Sequence, residues 1–280
     1  MPSRAEPQQG DDEMSGPAAQ HDTQTSRRPG RLQVTTVRAV HRLTPRMTRL
    51  TFTGPGLGEF LSNGTDQHVA LYFYPPGLTL PRPFTTEAAR ALLPTARPRL
   101  RRYTIRHHRP ELGEVDMDFV LHGADQLASG WAERATVGEE SIWFGPSPAY
   151  PLREGAAWSL LLGDETALPA LGVLLEELPA GHPVTVLAEI ADPDEQLPLP
   201  TRADADIRWL HRGDRPAGEL LAAHATALRL PPGRGRIWGG AEREAVRTLR
   251  HHFTRTLGVD RADTRLTTYW TRGETQDSEV

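Results

Sequence analysis

Cysteine is absent from all 280 residues. That excludes structural disulfides, thiolate zinc sites, cysteine nucleophiles and cysteine-bound iron–sulfur clusters. It says little about compartment. No run approaches the ~18 apolar residues of a membrane-spanning helix. The longest uninterrupted apolar pieces, such as Leu160-Leu161-Leu162, are core-strand sized. No signal-peptide pattern opens the chain, because Asp11, Asp12 and Glu13 stand where an apolar core would be needed. A cytoplasmic protein without membrane association is therefore expected. Arg greatly outnumbers Lys, of which there is none. With frequent Ala and Pro, this looks like the coding bias of a GC-rich genome and not a function. A net charge of −4 gives no case for nucleic acid as a partner.

Common catalytic and metal patterns are missing too. No G-x-S-x-G nucleophile motif occurs. His107-His108 and His251-His252 are adjacent pairs, and neighbours point apart on a strand or a helix. No other His spacing suits a metal, so no protein-bound metal is expected. The glycine fingerprint G-x-G-x-x-G of dinucleotide folds is absent.

What remains is globular in composition, with 38% hydrophobic and 24% charged residues, and long enough for two domains. Residues 1–30 are polar and Pro-rich, and too poor in bulky apolar residues to offset the entropy of ordering. A disordered tail is expected there, and a second over 274–280. From 31 to 150 the chain reads as short strands: Val34–Val40, Met47–Thr53, His68–Tyr74, a run about Arg101, Glu114–His122 and Glu139–Phe144. Leu78–Pro98 reads as a long Pro- and Arg-rich loop. Ser129 is a plausible N-cap for a short helix through Ala135. Six strands with one small helix predict an antiparallel six-stranded barrel. From 151 to 273 the rhythm changes to strand–helix alternation, which predicts a doubly wound parallel sheet. Strands are expected at Trp158–Leu162, Val184–Ile190, Ile207–His211, Arg236–Gly239 and Leu266–Trp270. Helices are expected over Thr166–Leu178, Ala217–Leu228 and Glu242–Leu257.

The stretch Arg101-Arg102-Tyr103-Thr104-Ile105-Arg106 organises the chemistry. On a strand, Arg101, Tyr103 and Ile105 share one face, and Arg102, Thr104 and Arg106 the other. Arg suits a diphosphate because its planar fork donates two parallel hydrogen bonds. A Tyr ring stacks on a flat heterocycle, and a Thr hydroxyl reaches a ring nitrogen. The same six residues also suit a plain basic edge strand. Further along, Gly163-Asp164-Glu165-Thr166-Ala167-Leu168-Pro169-Ala170 lies where a strand hands over to a helix. Asp164 and Thr166 there are either cap residues or ligand contacts. His122-Gly123 followed by Ala128-Ser129-Gly130-Trp131-Ala132 is either a phosphate-binding helix start or a capped helix with a core Trp. Trp238-Gly239-Gly240-Ala241-Glu242 permits close backbone approach by a ligand, or is a tight strand–helix turn. The aromatic pair Tyr269-Trp270 either covers a flat ring or fills two faces of a last strand.

These five motifs, in this order from about residue 31 to 273, resemble the siderophore-interacting protein family of flavin-dependent ferric-siderophore reductases. G-D-E-T-A-L-P-A is its most specific signature and is intact. The resemblance implies a ferredoxin-reductase-like architecture: an FAD-binding barrel over 31–150 and a nicotinamide-nucleotide domain over 151–273. It implies FAD as cofactor, NADPH or NADH as donor and a ferric siderophore as small-molecule substrate, with no side chain acting as general acid or base. Monomer is the default state. By resemblance, Arg101, Tyr103 and Thr104 contact FAD, and His122, Ala128 and Ser129 hold the rest of its nucleotide. Asp164, Thr166 and Ala167 lie where the flavin and nicotinamide domains meet. Trp238, Gly239, Gly240 and Glu242 face the nicotinamide nucleotide. Siderophores of this kind are often anionic, so Arg82, Arg102 and Arg106 are candidates for the substrate pocket. Arg212 and Arg215 either meet a 2′-phosphate or are surface charges. Two other readings stay open: a flavin oxidoreductase of this fold serving another acceptor, such as a ferredoxin or an oxygenase component, and a non-catalytic siderophore-binding protein.

Overall fold

A computed structural model describes residues 30–60, 66–123, 126–147 and 155–274. The tail at 1–30 falls outside them save for Gly30, and the tail at 274–280 save for Glu274. The chain forms two sheets. The first is antiparallel and holds seven strands: β1 (Arg31–Thr44), β2 (Met47–Thr53), β3 (His68–Phe73), β4 (Arg99–Thr104), β5 (His107–Arg109), β6 (Glu114–Val120) and β7 (Glu140–Gly145). Their order is β4-β3-β7-β1-β2-β6-β5. The six expected strands are all present, and the three-residue β5 is an addition. Ile105 and Arg106 link the two edge strands, and their N–H groups donate to the carbonyls of Gln67 and Asp116. The sheet thereby curls as the expected barrel does, half-closed and with seven strands in place of six.

Alternation built its core. Val115, Met117, Phe119 and Leu121 all turn inward, as period two requires, and pack with Leu50, Phe52, Val69, Leu71 and Trp143. β1 is twice the expected length because it continues through register shifts at Val37/Ala39 and Arg42/Thr44 to a tight turn with β2. The expected loop 78–98 contains a helix, α1 (Thr86–Leu92), which begins where the Thr85 side chain accepts from the Ala88 N–H. The flanking prolines masked it; Glu87, Ala88, Ala89, Arg90 and Ala91 between them are good helix formers. The helix α2 (Leu127–Arg134) starts two residues before the expected Ser129, after Gln126. Ser129 is therefore inside the helix and not its cap.

The second sheet is parallel, in the order β10-β9-β8-β11-β12: β8 (Trp158–Gly163), β9 (Pro183–Ile190), β10 (Asp204–His211), β11 (Gly235–Glu242) and β12 (Thr264–Trp270). The strand order reverses between β8 and β11, which makes that junction the switch point of a doubly wound fold. A single 3-10 turn over Glu165–Ala167 precedes α3 (Leu168–Glu177) on one face. Helices α4 (Glu219–Ala227) and α5 (Arg243–His251) cover the other, and α5 runs on into a π turn over His252–Thr256. Helix α3 buries Leu168, Leu171, Leu174 and Leu175 against Val184, Val186, Ile190 and Trp238. Met47 from the barrel joins this same core, with Leu43 and Val120 packed on it. The two halves thus share apolar packing.

Polar pins fasten the same junction. Arg106 is only 8% exposed, and its guanidinium forks onto Glu176 of α3 at 2.6 and 3.1 Å. It lies against Gly172, where an added Cβ would come within 2.9 Å of it. The Glu195 carboxylate accepts from the Thr44 hydroxyl at 2.5 Å and the Arg46 N–H at 3.2 Å. Replacing Leu171, which is fully buried in the shared core, with Ala is expected to lower stability by about 2–5 kcal/mol. Urea denaturation of the pair measures it.

Candidate functional site

A cavity of about 960 Å³ opens between the two sheets. β4 supplies one wall: Arg101, Arg102, Tyr103 and Thr104 all line it. The Tyr103 ring packs on Phe119 with centroids 4.1 Å apart, and burial raises the pKa of its phenol, which stays neutral. The end of β6 and the start of α2 supply a second wall through His122, Gly123, Gln126, Ala128 and Ser129. The first N–H groups of α2 lack intrahelical partners by geometry, and among the described residues no side chain caps this end. The Ser129 hydroxyl instead accepts from the His122 N–H at 2.9 Å and fixes the strand end against the helix start. An uncapped helix N-terminus beside an Arg-bearing strand is an anion site, the pair of features a diphosphate needs.

The third wall is the carboxyl edge of the parallel sheet: Glu165, Thr166, Pro169, Arg212 and the β12 segment Thr267 to Thr271. Its foundation is Asp164, which is 0% exposed. One oxygen accepts from the Thr166 N–H at 2.9 Å and the Thr166 hydroxyl at 2.5 Å; the other accepts from the Glu242 N–H at 3.0 Å and the Trp270 indole at 2.8 Å. Burial raises the Asp164 pKa, and these four donors work against that rise.

Asp66 joins the barrel to this edge. Its backbone sits at φ 55°, in the left-handed region that Asp tolerates. Its carboxylate accepts from the Trp238 indole at 3.0 Å, Arg265 Nε at 3.2 Å and the Tyr269 hydroxyl at 3.2 Å.

Many of the residues singled out in the sequence meet at the cavity: Arg101, Arg102, Tyr103, Thr104, His122, Ala128, Ser129 and Thr166, and with them Arg212, Tyr269 and Trp270. Others lie behind its walls. Ala167 and Trp238 are 0% exposed, and Trp238 spends its indole on Asp66. Gly239 and Gly240 make room for protein: an added Cβ would come within 2.8 Å of the Leu266 and Tyr269 side chains respectively. Glu242 caps α5, accepting from the Glu244 N–H at 2.6 Å. Of the three substrate candidates, Arg102 lines the cavity. Arg106 pins α3, and Arg82 pairs with Glu140 at 2.5 Å, away from the cavity. Sequence reasoning missed Asp66, His68, Glu165 and Arg265. Glu165 lay inside a motif already singled out, and the others needed tertiary contacts to be seen.

No group of three or more His, Cys, Asp or Glu suited to a metal occurs among the described residues. Nor, among them, is any helix long and apolar enough to cross a membrane.

The chain matches two family models end to end: "Siderophore-interacting FAD-binding domain" over 36–150 and "Siderophore-interacting protein" over 156–273. An uncharacterised protein of Mycobacterium tuberculosis is 34% identical over 85% of this chain and 90% of its own length. The ferric vibriobactin reductase of Vibrio cholerae is 28% identical, covering 83% of this chain and 86% of that one. Among solved structures, the siderophore-interacting protein of Aeromonas hydrophila superposes with TM-score 0.75 at 29% identity, over 88% and 94% of the two chains. The first sheet is an FAD-binding domain and the chain is an oxidoreductase. It belongs to the siderophore-interacting protein family.

Two outcomes test this geometry. Burial lowers the pKa of His68 and His122 below the ordinary ~6.5. Between those lowered values and ~6.5 the unfolded chain binds more protons, so their contribution to stability is lost as pH falls through that window. Replacing both with Gln should flatten the slope of stability against pH just below ~6.5. The buried acids with raised pKa values slope the other way, so the difference between the two urea-denaturation curves isolates the histidines. Asp66→Ala leaves three donors without their acceptor and should lower stability by about 1–3 kcal/mol in the same assay.

Proposed function

We propose that this chain is an NAD(P)H-dependent, FAD-containing ferric-siderophore reductase. The observation that carries the reading is the convergence on one cavity of an Arg-bearing strand, an uncapped helix N-terminus and the carboxyl edge of a doubly wound sheet. The relative named a ferric vibriobactin reductase supports the substrate class.

The residues present fit the flavin nucleotide. Arg101 and the first N–H groups of α2 would hold its diphosphate, with His122, Ala128 and Ser129 around the nucleotide. Tyr103 and Thr104 would contact the ring and ribityl region. The nicotinamide nucleotide would lie along Thr166 and the β12 residues, with Asp164, Ala167, Trp238, Gly239, Gly240 and Glu242 shaping that wall from behind. Bound there, FAD would supply the chemistry of accepting hydride from the nicotinamide and passing single electrons to Fe(III), whose reduced form hard-oxygen chelators hold far less tightly. The protein's part is to orient and to exclude water. No side chain need move a proton. Arg102, with Arg101 and Arg265 in the same cavity, supplies permanent positive charge toward an anionic chelate. A cytoplasmic location, where nicotinamide donors are found, accords with the reading. No feature of the described residues asks for a second subunit, and a monomer is part of the proposal.

Anaerobic mixing of FAD-loaded protein, a nicotinamide donor and a ferric siderophore should release Fe(II) to a ferrous-specific chelator. Replacing Arg101 and Tyr103 together with Ala should weaken FAD binding by at least tenfold, read by flavin fluorescence. If the flavin is reduced but iron stays Fe(III), another acceptor serves this fold. If no flavin binds the wild type, the assignment of the β4 wall is wrong.

A further inference from the structure

The corner of the cavity that would read the donor's adenosine ribose carries no spare positive charge. In a doubly wound fold the dinucleotide lies across the carboxyl ends of the strands at the switch point. Its ribose is read from the end of the second strand: an acid there bonds the 2′-hydroxyl, and a cation accepts a 2′-phosphate. Here the second strand is β9, which ends at Glu189-Ile190, with Arg212 just past the end of β10 and Glu165 just past β8.

Arg212 is the cation nearest that position. Its side chain is 18% exposed, and Nη1 is ion-paired to the Glu165 carboxylate and lies 4.0 Å from Glu189. Glu189 is 0% exposed and accepts from the Gly218 N–H at 2.6 Å and the Leu221 N–H at 2.7 Å, so it is fixed in place. The fully buried Asp164 adjoins Glu165 in sequence. Arg46, the other cavity cation at this end, lies 3.9 Å from Asp192, just past β9. Arg215 is exposed on the following turn and does not line the cavity. Each guanidinium that lines this corner is thus matched by an acid, and Arg212 by two. A doubly charged 2′-phosphate placed here would meet carboxylates at close range and would have to displace a buried ion pair. A 2′-hydroxyl meets neither obstacle.

We propose that the Glu165–Arg212 pair is a specificity element that selects NADH over NADPH. This rests on the reading of the carboxyl edge as the nicotinamide-nucleotide site.

The test separates binding from turnover. Titration calorimetry on the FAD-loaded protein compares 5′-AMP with 2′,5′-ADP. Anaerobic stopped-flow compares flavin reduction by NADH and NADPH. For the wild type, 2′,5′-ADP should bind no tighter than 5′-AMP, and kcat/KM should favour NADH by tenfold or more. E165Q leaves Arg212 only the more distant Glu189, at 4.0 Å, and should tighten 2′,5′-ADP about tenfold relative to 5′-AMP. If E165Q does not fold, R212Q decides: the wild-type order of donors should persist. A wild-type preference for 2′,5′-ADP or NADPH overturns the proposal, and so does its loss in R212Q. So does failure of 5′-AMP to bind. If fragments bind in the expected order but neither donor reduces the flavin, the proposed reductase reading fails while the selectivity of this corner stands.

Discussion

Four donors converge on one buried carboxylate, and the functional edge of the molecule depends on it. Asp164 gathers the N–H and hydroxyl of Thr166, the N–H of Glu242 and the indole of Trp270. Those groups lie in the turn after β8 and at the ends of β11 and β12, beside the switch point between β8 and β11. An uncompensated buried charge is expensive, and removing a single donor leaves the rest of the cluster underpaired. The carboxylate therefore does for this edge what a glycine loop closed on a diphosphate does in other dinucleotide folds. It holds the strand ends at fixed spacing with a side chain instead of a ligand.

Asp66 plays the equivalent part between the halves. A side chain from the barrel collects Trp238, Arg265 and Tyr269 from β11 and β12. With the Arg106–Glu176 and Thr44–Glu195 pins and the shared apolar core around Met47, it fixes how far the barrel wall stands from the sheet edge. The separation of the two walls, and so the width of the cavity between them, is set by this packing. Asp66 lines the cavity, whereas the Arg106–Glu176 and Thr44–Glu195 pins lie outside its lining, so part of the positioning is done by groups that no ligand need touch.

The fold was largely legible because its signals are local. Alternation in Glu114–His122 and the leucine stripe of Thr166–Leu178 each named an element and its buried face. The errors were local as well. α1 was hidden by prolines at its flanks, and β5 is too short to carry a period. The site was legible only in part, for a physical reason. Motifs mark where the backbone turns, and a turning backbone must satisfy its own polar groups before it can serve a ligand. Asp164 and Glu242 were singled out correctly as special, yet their oxygens are bound to the protein's own N–H groups. Gly239 and Gly240 do permit a close approach, but what approaches is Leu266 and Tyr269. Asp66, His68 and Arg265 carried no signal in their neighbours, because their roles exist only once the two halves are apposed.

The charge of the cavity follows from the same economy of residue types. Lysine is absent, so every cation facing the cavity is a guanidinium that does not titrate in the physiological range. His68 and His122, the two imidazoles on its walls, are held neutral by burial. What titrates is acidic: Glu165 and Glu189 have raised pKa values, chiefly from burial, which Arg212 opposes. Positive charge on the barrel side is therefore fixed, and negative charge on the sheet side is the adjustable quantity. An anionic chelate and a nucleotide diphosphate both need the first. Discrimination between a ribose hydroxyl and a ribose phosphate needs the second. On the readings proposed above, the two demands fall on opposite walls of the one cavity.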